Sequence, residues 1–461
     1  MHLISVAAPR RSLDRHAYLF APAPHTVRDA IYGSVPLSHA AFATLDTAAF
    51  QRLRHIKQVG PVFLVYPGAT HTRFGHSIGV YHLTRLALQH LTGLADIEPE
   101  IGRATLAAAL LHDIGHFPYS HVMDEIVVNG SRLSHLELTV ELIDTDAELR
   151  QVLEGAWEVA PQLVVDLLIG RPNPLIPRFL YTLIDGPMDM DKLDYLNRDA
   201  HHTGVPYGRV EVQRLIDFLA VAPGTGDLVI TEAGVGTVES VIFAKYLMFR
   251  YVYWHHTARI AGAMINRAVL DCLLALGNVE HLSVNDPVLR RVCAATDATL
   301  ESTLRDLLRE AGAAPPPALD LLSRVERRSL FKRAQTVACA VTPLLDECFR
   351  EALPRRQREA ELASLVRDEL PVGSPPFFDS DVLIDLPPGA KFAADIRGIA
   401  LESPDQPLRV VSWEDSPSAS YLTTATVAAM EQSLRSALVV CDTHRADGEL
   451  IRMALSRIQL V

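Results

Sequence analysis

The sequence predicts a mainly α-helical protein that ends in a smaller α+β lobe. Over most of residues 38–276, apolar residues recur at three- and four-residue spacing, which is typical of amphipathic helices. Beyond residue 380 the pattern changes to short β-like runs, and proline-rich stretches separate the two regions. The composition, 49% hydrophobic and 21% charged over 461 residues, is that of a folded chain with a substantial core.

The helical region is predicted from segments whose apolar residues would share one face of a helix. These segments are residues 40–55, 77–94, 101–113, 134–143 and 238–276. Glycine and proline, which interrupt helices, separate or flank them at residues 67–68, 115–118, 186–187 and 204–206. A short β pair is predicted around residues 228–231, so the helical region is expected to carry one small β element.

Composition also divides the chain into an arm, a helical domain and a lobe. Residues 1–25 contain proline and no regular pattern, so we expect a loose N-terminal arm. The sequence AGAAPPP at 311–317 is typical of a connection, which places the helical domain at 26–310 and the α+β lobe at 311–461. The lobe is predicted from β-like runs at 382–384, 408–413 and 437–441, and from a helix at 424–436.

Charge and cysteine content exclude several classes of protein. The formal net charge of −12 argues against general attraction to nucleic acids or anionic membranes. The five cysteines are scattered and form no C-x-x-C pair, which fits a reducing compartment better than a zinc ribbon or a disulfide framework. No secretory signal is recognisable, and no uncharged apolar run reaches the ~20 residues of a membrane span. We therefore expect a cytoplasmic protein without membrane or nucleic-acid partners.

The pair His112–Asp113 is the first chemical signal, because it interrupts an otherwise apolar helical segment. Burying an imidazole beside a carboxylate is costly unless both have partners. Neutral imidazole and carboxylate are both good ligands for a divalent metal. Taken alone, such a dipeptide is more often a hydrogen-bonded pair in a core.

Three further features favour a metal centre over a core pair. His76 aligns with the apolar face of its helix, although a single histidine there is more often a core residue. Asp191 shares a helical face with Asp194, Tyr195 and Arg198, which alone would suggest a solvated acidic face. Closely spaced polar residues follow the His-Asp pair at His116, His121, Asp124 and His135. Together they predict a site of His76, His112, Asp113 and Asp191 for Mn, Fe, Mg, Co or Zn.

The order of those four residues resembles that of the HD phosphohydrolase superfamily. The motifs TRFGHS (72–77), LHDIGH (111–116), FPYSH (117–121), DKLDY (191–195), RDAHHTG (198–204) and FQRLRHIKQVG (50–60) resemble its deoxynucleoside triphosphate triphosphohydrolase branch. That branch includes bacterial dGTPases and the mammalian protein with SAM and HD domains, whose SAM domain we do not expect here. The resemblance covers about residues 27–270, becomes loose after residue 320, and implies an HD-domain helical bundle.

The resemblance also implies an activity, the hydrolysis of dNTPs to deoxynucleoside and inorganic triphosphate with a divalent metal. Triphosphate contacts are implied at Arg73, Lys192 and Lys245, the last in place of a more usual arginine. The implied sugar contacts are Gln58, Asp199 and Tyr253, with Tyr195 as a block against a 2′-hydroxyl. The proton donor for the leaving oxygen is expected among His116, His121 and His135, one of them oriented by Asp124, and spacing does not choose between them.

A regulatory site is implied at Asp46, Gln51 and Arg54, which resemble the positions where activated family members hold a guanine nucleotide between subunits. An aspartate can accept from guanine N1–H and N2–H, while arginine and glutamine can bond its O6 and N7 edge. The resemblance thus implies activation by GTP or dGTP and a homo-oligomer, with a tetramer favoured. The alternative is an ordinary amphipathic surface helix.

Two other functions compete with the dNTPase interpretation. One is an HD phosphohydrolase acting on cyclic nucleotides or (p)ppGpp, against which Arg73, Lys192 and Tyr195 argue. The other is a nucleic-acid-binding or scaffold protein with a vestigial site. The complete set of four ligands and the charge of −12 argue against this second alternative.

Overall fold

The computed structural model describes residues 15–277, 282–338, 351–388, 399–403, 406–413, 415–416, 422–434 and 436–457. Helices dominate, which confirms the predicted fold class. The α-helices are α1 Ala17–Phe20, α2 His39–Leu45, α3 Ala48–Arg52, α4 Arg73–Leu91, α5 Pro99–Leu111, α6 His121–Asp124, α7 His135–Thr145, α8 Ala147–Gln151, α9 Pro161–Leu168, α10 Arg178–Ile184, α11 Met190–Thr203, α12 Val212–Asp217, α13 Val235–Met248, α14 His256–Ala275, α15 Pro287–Ala294, α16 Leu300–Glu310, α17 Asp320–Glu326, α18 Ala352–Glu369, α19 Thr424–Leu434 and α20 Gly448–Arg457.

The strands are short and lie in small sheets. They are β1 His25–Asp29, β2 Gly33–Leu37, β3 Val127–Val128, β4 Ser131–Arg132, β5 Leu219–Val221, β6 Leu228–Thr231, β7 Lys332–Ala338, β8 Val382–Asp385, β9 Ile399–Ser403, β10 Gln406–Val411 and β11 Ser436–Cys441. One sheet has the order β10-β9-β6-β5, in which Ile230 of β6 pairs in parallel with Ile399 of β9. Another has the order β7-β11-β8 and is antiparallel throughout.

Helix α4 is the centre of the helical part and packs against α5 and α11. Most of its residues are buried, so it has no wholly solvent-facing side. Gly79 allows α11 to approach, because a Cβ on this residue would lie 1.9 Å from Asp194 Oδ1. This close approach brings the first turn of α11 to the first turns of α4.

Helix α11 has well-defined ends. The Asp189 side chain accepts a hydrogen bond from the Lys192 backbone N–H at 2.8 Å and so caps the N-terminus. Gly204 ends the helix in the left-handed conformation, with φ of 74°. Because both ends are fixed, the helix presents Asp191, Asp194 and Arg198 on one face.

Two long helices predicted from the sequence are interrupted. Predicted helix 40–55 is divided at Thr47, whose hydroxyl accepts from the Phe50 N–H and starts a second short helix. Predicted helix 238–276 is divided by a π-helix at Phe249–Tyr253 and a new N-cap at His255. Apolar periodicity continues across both breaks, which is why spacing alone did not show them.

Strands β6, β8, β10 and β11 lie where β structure was predicted, whereas β1 to β4, β7 and β9 were not predicted. In the predicted N-terminal arm, residues 1–14 lie outside the described residues. The short helix α1 within it is anchored, because the Leu19 carbonyl accepts hydrogen bonds from Arg85 and Gln89. In the described parts of the chain, none of the helices combines the length and apolar composition needed to cross a membrane.

Candidate active site

Three helices bring the predicted metal ligands together. His76 lies in the first turn of α4, His112 and Asp113 follow the end of α5, and Asp191 is the second residue of α11. His76 Nε2 lies 2.9 Å from Asp191 Oδ1 and 3.3 Å from His112 Nε2. Asp113 completes the group, with Oδ1 at 3.4 Å from His112 Nε2 and Oδ2 at 3.6 Å from His76 Nε2.

The hydrogen bonds of the two imidazoles show that this donor set fits a divalent cation. His112 Nδ1 lies 2.9 Å from the Ala109 carbonyl, which only accepts, so this nitrogen carries the proton. His76 Nδ1 similarly donates to Asp194 Oδ2 at 2.7 Å. In the neutral rings both Nε2 atoms therefore present lone pairs to each other, next to two carboxylates. A cation between them would relieve the repulsion.

The electrostatics of the site also favour positive charge. Burial lowers the pKa of His76, but its hydrogen bonds to the Asp191 and Asp194 carboxylates raise it to about 10, so at neutral pH Nε2 carries a proton wherever no cation takes the place of that proton. Burial would raise the pKa of Asp113, yet the charges of Arg73 and His112 hold it well below its usual range. Burial would likewise raise the pKa of Asp191, but its hydrogen bond with His76 holds it well below its usual range, so both carboxylates are available as anionic ligands at neutral pH.

Asp194 fixes the orientation of His76. It is fully buried and accepts from His76 Nδ1, from Arg198 Nε at 2.8 Å and from Arg198 Nη2 at 3.0 Å. Arg198 in turn donates to Asp29 at 2.9 Å. The sequence placed Asp194 on the ligand-bearing face but gave it no role. Its spacing of three residues from Asp191 and four from Arg198 was the available signal.

The predicted acid/base residues form a second cluster beside the first. Asp124 Oδ2 lies 3.0 Å from both His121 Nδ1 and His135 Nδ1. His116 Nε2 lies 3.4 Å from Asp113 Oδ1 and so adjoins the metal ligands. Helix α5 ends at Leu111, so His116 reaches this position through a turn and does not share a helical face with His112. Gly115 permits the approach of α7, because a Cβ there would lie 2.4 Å from the His135 carbonyl oxygen.

Ring geometry favours proton transfer over metal binding in this second cluster. The rings of His116 and His135 are stacked, with centroids 4.0 Å apart and planes 13° from parallel. Lone pairs lie in the ring planes, so two nearly parallel rings cannot both point at one ion. Burial keeps the pKa of His116 well below its usual value, whereas Asp124 raises the pKa of His135 against the effect of burial. His135 therefore holds a second proton more readily than the neighbouring His116 does.

Two lysines lie near the carboxylate side of the site. Lys192 Nζ contacts Asp189 at 2.5 Å, and although burial opposes it, this carboxylate raises the pKa of Lys192 above its usual value. Burial lowers the pKa of Lys245 to about 8, with a further contribution from the charge of Lys192. Arg73, the third predicted phosphate contact, is instead buried against Asp113 and Ser120.

The predicted sugar contacts form a network next to the lysines. Tyr253 donates its hydroxyl hydrogen to Asp199 at 2.7 Å, and its ring meets Tyr195 edge to face at 6.2 Å. The second Asp199 oxygen lies 2.7 Å from His71 Nε2, a partner that the sequence did not reveal. Gln58 Oε1 is buried and lacks a hydrogen-bond partner among the described residues, which fits a ligand hydroxyl as donor.

The predicted regulatory residues are only partly assembled. Arg54 Nε donates to Gln51 Oε1 at 2.7 Å, so these two share a face as expected. The Gln51 amide donates to the Leu45 carbonyl at 2.7 Å. The next residue, Asp46, is exposed and forms the C-cap of α2. The Arg54 guanidinium also stacks 3.5 Å from the centroid of the Phe74 ring.

Comparison with protein families identifies the class of protein. Residues 73–166 match the HD domain, and residues 210–412 match the HD associated region. The chain thus carries an HD domain followed by the HD associated region. The second match extends well beyond residue 270, so the family resemblance covers more of the chain than its motifs indicated.

Individual relatives are known from several organisms. Uncharacterized protein YwfO of Bacillus subtilis is 35% identical over 224 residues, covering 48% of this chain and 50% of that protein. Human deoxynucleoside triphosphate triphosphohydrolase SAMHD1 is 28% identical over 345 residues, covering 66% of this chain and 54% of that protein. The chain thus spans about half the length of these relatives. A phosphohydrolase structure from Bacteroides thetaiotaomicron has a TM-score of 0.64 at 25% identity, covering 91% of this chain and 99% of that one.

Proposed function

We propose that this protein is a metal-dependent phosphohydrolase that cleaves dNTPs to deoxynucleoside and inorganic triphosphate. The observation that carries the proposal is the pair of facing nitrogens, His76 Nε2 and His112 Nε2, 3.3 Å apart beside two carboxylates. The neighbouring lysines suit a polyphosphate, and the tyrosine pair suits a nucleoside. The names of the human relative and the Bacteroides structure agree with this chemistry.

His76, His112, Asp113 and Asp191 would hold the metal, which when bound neutralises phosphoryl oxygens and lowers the pKa of water. Lys192 and Lys245 would bind the triphosphate from the side of Asp189. In the proposed reaction, water adds to the α-phosphorus and the bond to the 5′ oxygen breaks, so that oxygen needs a proton.

The second cluster can supply that proton. Asp124 joins His121 and His135 through one oxygen, and the His121 side chain is 67% exposed, which allows it to meet a substrate. Tyr195 would exclude a 2′-hydroxyl, while Gln58 and Asp199 would receive the 3′-hydroxyl. In this proposal, the metal ligands, the two lysines and the second cluster would together supply the groups that one-step triphosphate hydrolysis needs.

The product distribution tests this function. Metal-loaded protein is incubated with each dNTP, alone and mixed, and with GTP, and the products are separated by ion exchange. We expect deoxynucleoside and triphosphate in equal amounts, with GTP turned over slowly because Tyr195 occupies the space of a 2′-hydroxyl. Pyrophosphate or phosphate as the main product would contradict the proposed reaction. Turnover of cyclic nucleotides or (p)ppGpp alone would favour the alternative HD phosphohydrolase.

The low pKa of Lys245 predicts a pH dependence. Lys245 is protonated below pH 8 and neutral above it, because its pKa is about 8. We therefore expect kcat/KM for a dNTP to decrease as pH rises through about 8, since a positive triphosphate contact is lost. Arginine stays protonated, so Lys245→Arg should move this decrease to higher pH. Lys332→Arg, on β7, is the matched control. Identical pH profiles for wild type and Lys245→Arg would show that Lys245 does not contact the substrate.

We further propose that a guanine nucleotide bound by Asp46, Gln51 and Arg54 promotes assembly of a homo-oligomer and raises activity. The supporting contact is Arg54 over the Phe74 ring, because the residue immediately before Phe74 is Arg73, the partner of Asp113. A ligand that contacts two subunits favours the assembled state by its difference in affinity.

Three measurements should change together if this regulation exists. Mixed dNTPs should be hydrolysed faster than single ones, and GTP or dGTP should increase the mass measured by light scattering. Asp46→Ala should abolish both effects, whereas the exposed Asp217→Ala should preserve them. ATP should be ineffective, because adenine offers an amino donor where Arg54 needs a carbonyl. If no nucleotide changes either the mass or the activity, the residues on and around α3 form an ordinary surface and the regulatory proposal is wrong.

A further inference from the structure

A buried carboxylate from the HD associated region holds two segments of the HD-domain side of the molecule. Asp297 lies between α15 and α16, and only 6% of its surface is exposed. Its Oδ1 accepts from the Tyr119 backbone N–H at 2.7 Å. Its Oδ2 accepts from the Lys57 backbone N–H at 3.0 Å and from Lys57 Nζ at 3.4 Å. One side chain therefore ties residue 57 to residue 119.

The turn held by Asp297 has a strained backbone. Tyr119 and Ser120 have φ of 57° and 56°, in the left-handed region that residues with a Cβ rarely occupy. Such a conformation persists only where surrounding contacts enforce it. The segment that supplies Asp297 is itself anchored, because Arg52 donates to the carbonyls of Cys293, Ala294 and Ala295 at 2.6–2.9 Å.

Ser120 connects this turn to the candidate metal ligands. Its hydroxyl donates to the Lys57 carbonyl at 2.7 Å and accepts from Arg73 Nε at 2.9 Å. Arg73 then forms a buried ion pair with Asp113. Lys57 is thus joined to the turn twice, once to Tyr119 through Asp297 and once directly to Ser120, whose hydroxyl also contacts Arg73.

We propose that Asp297 is a positioning residue, which aligns the Asp113 carboxylate by enforcing the turn at Tyr119 and Ser120. The inference rests on the proposed function, because it assigns Asp113 to a metal centre. It adds a role for the associated region: the region completes the active site by fixing the HD-domain backbone, without itself touching the metal or the substrate.

The test compares Asp297→Ala, Asp297→Asn, Ser120→Ala and the double variant Ser120→Ala/Asp297→Ala. Asn at 297 keeps an acceptor for Tyr119 but cannot accept both Lys57 contacts, so its effect should be intermediate. We expect Asp297→Ala to lower kcat about 10- to 100-fold, the range for residues that orient metal ligands, with KM little changed. The double variant should be no worse than Ser120→Ala, because both act through Arg73. Asp286→Ala, which removes the N-cap of nearby α15, is the matched control and should keep kcat.

A second readout separates this inference from the proposed function. In Co(II)-loaded protein, the visible spectrum should change in Asp297→Ala and Ser120→Ala and stay unchanged in Asp286→Ala, whatever the substrate is. A changed spectrum together with no dNTP hydrolysis by wild type would overturn only the proposed function. An unchanged spectrum, or losses in kcat that multiply in the double variant, would overturn the positioning role. If Asp297→Ala does not fold, Ser120→Ala and Asp297→Asn carry the same comparison.

Discussion

Replacement of His112 or Asp113 by alanine is expected to abolish dNTP hydrolysis and to release the metal. Each variant removes one of four side chains whose neighbouring donor atoms lie 2.9–3.8 Å apart. Asp113→Ala also leaves buried Arg73 without its carboxylate, which adds an unpaired positive charge beside the cation. We expect kcat to fall by at least about 1,000-fold, comparable to the loss of a principal electrostatic contact to the transition state.

Elemental analysis of the purified variants measures the second part of this prediction. Wild-type protein should retain its metal through gel filtration, whereas both variants should lose it. Asp144→Ala, which changes an exposed carboxylate in α7, is the control and should keep both metal and activity. Unchanged metal content in both ligand variants would show that the site lies elsewhere.

Asp194→Ala is expected to reduce stability and metal affinity together. His76 would lose the acceptor that fixes its proton on Nδ1, and loss of such an orienting partner typically costs about 10- to 100-fold in affinity. Among the residues that the structure describes, buried Arg198 would keep Asp29 as its one ionic partner. Leaving a buried charge poorly paired costs on the order of 3 kcal/mol in the free energy of unfolding. Metal titration and urea unfolding of the apo-protein measure the two effects separately.

A second buried aspartate provides the comparison. Asp166 accepts from Gln162, Arg171 and Asn173, none of which belongs to the candidate site. Asp166→Ala should therefore lower the free energy of unfolding while leaving metal affinity unchanged. Equal metal affinity in Asp194→Ala and wild type would contradict the orienting role of Asp194.

Much of the fold was predictable because helix periodicity is a local signal. Segments around α4, α5 and α7 bury the faces that their apolar residues indicated. The breaks at Thr47 and Phe249–Tyr253 were not predictable, because caps and a π-helix do not disturb the apolar pattern. Strand β9 was also missed, since its parallel partner β6 lies far away in the sequence.

The candidate site was likewise predictable only where the signal was local in the sequence. His76, His112, Asp113 and Asp191 were proposed from residue type and motif order, and the structure brings their side chains together. His71 and Asp297 had no such signal, because each becomes relevant only through a partner that is distant in sequence. Arg73 was proposed as a phosphate contact, and its ion pair with buried Asp113 was not predicted, because that pairing depends on tertiary packing.

The parallel pairing of Ile230 with Ile399 has a consequence for folding kinetics. Strand β6 has a neighbour on both sides only when β9, which lies much later in the same associated region, pairs with it, so the four-stranded sheet closes a very long loop. Loop-closure entropy makes such contacts slow to form, and on a ribosome β6 emerges long before β9. During that interval, one edge of β6 is open to strands of other chains. Nascent or truncated chains that end before β9 are therefore expected to aggregate, and sheet completion is expected to be a late folding step.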